Sequence, residues 1–148
     1  MNIKDLAPDL KSEFPRSPRA MLAGYVVVCR TLDKCRASIA GTNGEYHYDC
    51  PLDNYFFGFT GITADDFKEF VATGASDEEV ADWIQKNARE MDESERIAWN
   101  NRMRAKRVTD LPMKLQKFLE GYIPECLPEY PPVYVWFDVY DIEEKRIG

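Results

Sequence analysis

The chain has 148 residues, enough for one domain with a sizeable core, and its 45% apolar and 13% aromatic content excludes a disordered chain. A formal charge of −7, from 19 Lys and Arg against 26 Asp and Glu, disfavours binding along a nucleic-acid backbone. The imbalance is central: residues 51–100 carry 4 cationic and 12 acidic side chains, while both ends are close to balanced.

Residues 1–16 are polar and interrupted by Pro8 and Pro15, which predicts an arm lying against a helical domain of residues 17–148. "RSPRAMLAGYVVVCRTLDKCRASIAG" then predicts one long helix, with Ser17 at the N-cap, Pro18 at the first helical position and Gly41 just past the end. Leu22, Tyr25, Cys29, Leu32, Cys35 and Ile39 recur every three or four residues, the spacing of a core-facing stripe, despite Gly24 and the β-branched Val26–Val28. On the same helical wheel Arg19, Arg30 and Lys34 form a cationic strip. Its plain reading is a solvated face; its functional reading is an anion site, helped by Arg16 at the helix entrance. Arg36 falls instead inside the apolar arc, between Tyr25 and Cys29. An unpaired charge there is strongly unfavourable, so Asp33, Glu45, Asp49, Asp53 or a ligand anion must face it.

"GEYHYDCP", Gly44 to Pro51, holds the chain's single histidine and follows the turn signal Asn43-Gly44. The alternation reads as a short extended segment with Glu45, His47 and Asp49 on one side and Tyr46 and Tyr48 on the other. Flanking carboxylates suit His47 to acid–base work, with Asp49 fixing its tautomer, and a turn at Pro51 brings the Cys50 thiol within reach as a nucleophile. The competing reading is structural: His47 bonds to backbone while Tyr46, Tyr48 and Cys50 pack. No second pair of ligands accompanies His47 and Cys50, so no metal is expected. "GTNG" has neither the Walker nor the dinucleotide spacing, so no cofactor is expected either.

Further on, "DNYFFGF" predicts a helical turn or a packed aromatic loop after a stop at Pro51. Thr63 caps "ADDFKEFVATG", Ser76 with Glu79 makes a capping box for "DEEVADWIQKNARE", Ser94 caps "ERIAWNNRMRAKR", and Asp110 with Pro112 opens "LPMKLQKFLEGYI". Residues 133–140, "VYVWFDVY", combine strand formers with helical spacing; their helical company favours helix. No apolar run approaches the roughly 20 residues that span a bilayer. No signal-peptide pattern opens the chain and its four cysteines show no CxxC spacing, which predicts a cytosolic protein with reduced thiols.

The stretches "PRSPRAMLAGYV", "LDKCRASIAGTNGEYHYDCPLD" and "SDEEVADWI" resemble an uncharacterised bacterial family of small domains, over residues 3–90, with a weaker likeness at "WFDVYDIEE". The resemblance implies one compact domain and brings no activity, cofactor or catalytic residue with it.

The expected protein is a single, mainly α domain with a long first helix and the 44–51 loop folded across it. Two functions fit. In one, the protein binds a small anionic ligand: Arg36 with Arg16 or Arg19 holds the anion, Tyr46, Tyr48 and Asp53 surround it, and His47, Asp49 and Cys50 offer a metal-free proton transfer or nucleophile. In the other, the loop is a structural staple and the protein is a non-enzymatic interaction module that meets its partner through acidic helices. Neither involves nucleic acid or a membrane.

Overall fold

The helix predicted from Pro18 begins ten residues later, at Val28. The computed structural model describes residues 2–127 and 133–147. It is mainly helical, with eight α-helices among the described residues. Two compact units divide the chain, Met1–Arg96 and Ile97–Gly148.

In the first unit, α1 (Ile3–Leu6) is a single turn capped by Asn2. The arm that follows is tied to the end of the next helix: Leu10 N–H donates to Thr42 O at 2.8 Å, and Thr42 Oγ1 donates to Pro8 O at 2.8 Å. Residues 17–27, expected to be helical, form turns. Leu22 and Tyr25 exchange both backbone hydrogen bonds, at 3.0 and 2.9 Å, across Ala23 and Gly24, whose φ values are 56° and 86°. Two consecutive positive φ angles define the tight hairpin turn that Gly favours and a right-handed helix cannot contain. Leu22 and Tyr25 therefore matched the helical stripe by spacing alone. Val27 is a second stop, a β-branched residue at φ 77° whose N–H donates to Pro18 O at 2.8 Å.

The helix proper, α2 (Val28–Ala40), is buried without interruption from Val28 to Ala37, and Gly41 at φ 76° ends it as expected. Because neighbours surround it, Arg30 and Lys34 lie in the interior, not on the solvated strip their wheel positions suggested. Residues 44–50 are a loop of two tight turns, at Gly44-Glu45 and Tyr48-Asp49. Pro51 does not stop a segment; it opens α3 (Pro51–Thr60) at the first helical position, where its missing N–H is no loss. Thr63 caps α4 (Ala64–Val71), and Ser76 with Glu79 forms the capping box of α5 (Asp77–Asn87), both as their spacing predicts. Phe56, Phe57 and Phe67 join α3 to α4 edge to face, with ring centroids 5.6 to 6.5 Å apart, and Trp83 of α5 stacks on Phe70 at 5.2 Å.

Helix α6 (Glu93–Ala105) starts at the end of the first unit and runs into the second. Within the second unit a 3₁₀ turn (Val108–Asp110) precedes α7 (Met113–Cys126) and α8 (Trp136–Glu143). The strand formers before Trp136 produce a single antiparallel bridge, Val135 with Arg107, and the helical spacing prevails from Trp136 on. Residues 128–132, which precede this stretch, lie outside the described residues. No helix of the described residues is long and apolar enough to cross a membrane.

Candidate functional site

The charged residues of α2 meet their partners from three directions. Lys34 is buried. Its Nζ lies 3.0 Å from Asp53 Oδ1 and 3.0 Å from Cys50 Sγ, with the Lys34 side chain 4% exposed and that of Asp53 fully buried. Asp53 also accepts from Thr31 Oγ1 at 2.6 Å, and from the N–H groups of Asp49 at 2.9 Å and Cys50 at 3.4 Å. It sits at the third position of α3 and closes back on the chain entering that helix, so one carboxylate neutralises a buried cation and satisfies free helix-start donors. The signal was legible: Pro51 at N1 with Asp53 two residues on is a helix-start pattern, here with Cys50 at the N-cap.

Arg36 finds its anion elsewhere. The expected carboxylates were Asp33 or those of the returning loop, Glu45, Asp49 and Asp53; instead Arg36 Nη1 bonds Asp77 Oδ1 at 2.8 Å, and Nη2 donates to Ala75 O at 2.9 Å. Its Nε is buried and has no hydrogen-bond partner among the described residues. Asp33 binds Arg16, with Nη2 to Oδ1 and Nε to Oδ2 both at 3.0 Å and the Arg16 N–H to Oδ2 at 2.8 Å. Arg16 Nη1 reaches Asp77 Oδ2 at 2.8 Å, so the two carboxylates and two guanidiniums alternate in charge. Burial alone would raise the Asp77 carboxyl, but the hydrogen bonds and charge of Arg16 and Arg36 hold it below the ordinary aspartate range. Burial likewise opposes the Arg16 charge, and Asp33 more than compensates, raising its pKa. Asp77 carried no signal beyond that of an acid in a helix first turn, which is why its role was missed.

The remaining candidates are dispersed. His47 is exposed and makes no hydrogen bond among the described residues. Asp49, at φ 66°, receives the Asn54 side-chain amide at 3.0 Å, which ties the turn to α3. Tyr46 lies under the Arg30 guanidinium, 5.5 Å from ring centroid to Cζ, and Arg30 Nη1 approaches Arg16 O at 3.4 Å. Tyr48 donates to Ala64 O at 2.6 Å and packs on Phe57 and Phe67; burial raises its phenol. Arg19 is half-buried in the turns before the hairpin, not on a helix. The loop thus brings together Cys50 and Asp53 around Lys34, and the arm brings Arg16 to Arg36 through Asp77; neither group includes His47.

Elsewhere, a hollow of about 400 Å³ in the second unit is lined by Val108, Met113, Leu119, Ile123 and neighbours, and contains no candidate residue. Among the described residues no three His, Cys, Asp or Glu side chains are grouped as metal ligands.

No curated protein matches this chain. The family model for a domain of unknown function, DUF5069, matches residues 12–146, a span that takes in α2 with every partner of its charges described above. The chain belongs to that family, the domain of unknown function DUF5069.

Proposed function

We propose that the chain is a non-enzymatic, cytosolic interaction module whose acidic α4–α5 surface meets a basic partner. The observation that supports this reading is the internal pairing of the cations a ligand would need: Arg36 is held by Asp77 at 2.8 Å and Arg16 by Asp33 and Asp77. With Asp53 and Asp77 facing interior cations, Asp65, Asp66, Glu69, Glu78, Glu79 and Asp82 stay exposed on α4 and α5, against the exposed cations Lys68 and Lys86. Such a surface steers a basic partner and disfavours acidic ones. The test is proximity cross-linking in the host with the wild type and with Asp65, Asp66, Glu78 and Asp82 each changed to Lys. Basic partners recovered by the wild type and lost from the charge-reversed protein support the reading; the same partners from both proteins overturn it.

The small-anion reading keeps two observations, the partnerless Nε of Arg36 and the exposed, unbonded His47. It expects native mass spectrometry of protein taken from host cytosol to show a bound anion that Arg36→Lys loses.

A further inference from the structure

We infer that Lys34 and Cys50 are joined under oxidising conditions by a single oxygen atom, a covalent bridge from lysine Nζ to cysteine Sγ. The two atoms already lie 3.0 Å apart. An inserted oxygen spans a gap of that size with little movement, whereas a direct sulfur–nitrogen bond would require a much closer approach. Both ends are held in place. Asp53 fixes the ammonium at 3.0 Å and is itself fixed by Thr31 and the Asp49 N–H, while Cys50 is locked at the N-cap of α3. Cys50 is half-buried whereas Lys34 is buried, so the cysteine is the less enclosed residue of the pair. The chain contains its own contrast: Cys29 and Cys35 are buried, and burial pushes their thiols up, Cys35 to about 12, which keeps them protonated and inert.

The oxidant is dioxygen. Counted from thiol and amine, the O–O bond breaks, one oxygen forms the S–O and O–N bonds, and the S–H and one N–H hydrogen leave with the other oxygen as water. Sulfur and nitrogen each give up two electrons and dioxygen takes all four. The Asp53 carboxylate accepts the additional proton that the ammonium must lose before its nitrogen can bond. The product is a tie between α2 and the start of α3 that closes the chain segment containing Glu45 to Asp49. Because a reductant cleaves the bridge, the tie is reversible, unlike the higher oxides of a lone cysteine.

The test uses the full chain, reduced and freed of reductant under argon, then equilibrated with heavy-isotope dioxygen and digested with trypsin. The expected product is a linked peptide pair containing Lys34 and Cys50, heavier than the reduced pair by one labelled oxygen less two hydrogens, and split by dithiothreitol. The wild-type melting temperature should rise on oxygenation, while Cys50→Ser should show neither the pair nor the rise. Lys34→Arg should lose the pair too. Should the buried arginine prevent folding, Cys50→Ser, altered only at a half-buried position, decides alone. Oxidation of Cys50 to sulfinic acid with trypsin still cutting after Lys34, a disulfide at Cys50, or a linked pair without the labelled oxygen would overturn the inference.

Discussion

Lys34, Thr31 and two backbone N–H groups converge on Asp53. Removing one partner of a buried ion pair costs roughly 3–5 kcal/mol because the other charge stays buried. Asp53→Ala should therefore lower the unfolding free energy in urea by about that amount, with Asp53→Asn retaining part of it through its remaining acceptor. Asp77 makes a pH prediction. Its carboxyl is held below its unfolded value of about 3.9, so it stabilises the fold above that pH and loses the contribution as pH falls through the lower, folded value. Its side chain is 41% exposed, so solvent screening keeps the effect modest. The melting temperature of Asp77→Asn should lie below that of the wild type at neutral pH, and the gap should narrow below about pH 4; a constant gap would separate Asp77 from acid sensitivity. At this scale, the need of Arg36 for an anion was legible from its place on the wheel. The identity of that anion was not, because Asp77 stands 41 residues away and helical spacing relates only near neighbours.

Among the elements, α4 and α5 could be read from their caps alone, since Thr63 and the Ser76–Glu79 pair specify a helix start by local hydrogen bonding. The start of α2 could not. Apolar spacing from Leu22 onward suits a helix and a folded turn equally well, and the decision lies in φ angles at Ala23, Gly24 and Val27 that propensity scales count only as weak penalties. Gly24 gives the test. Its φ is 86°, and an added Cβ would come within 2.7 Å of the Arg96 guanidinium, which donates to Gly24 O. Gly24→Ala should destabilise by about 1 kcal/mol or more in thermal or urea unfolding. Were residues 17–27 helical, the same substitution would stabilise instead. The loop at 44–50 misled for a related reason: alternating residue types resemble a strand, yet Asp49 at φ 66° turns the chain so that Cys50 can cap α3.

For the whole molecule, the mainly α class followed from capping signals and apolar periodicity, and both are local. Net charge was equally legible. The acidic balance places the isoelectric point near 4.8, so solubility at low salt should be least near that pH and recover on either side, as light scattering would report. What composition hides is where the charges lie: four charged residues within seven positions of α2 face the interior, each requiring a partner brought from another part of the chain. This has a consequence for synthesis. As the chain leaves the ribosome, Lys34 waits for Asp53 and Arg36 waits still longer for Asp77, so a nascent chain ending at α4 holds a guanidinium that has no carboxylate to enter the core with. The arrival of α5 is the event that lets α2 become an interior helix, and a chain arrested before residue 77 should remain open to protease where the finished protein is closed.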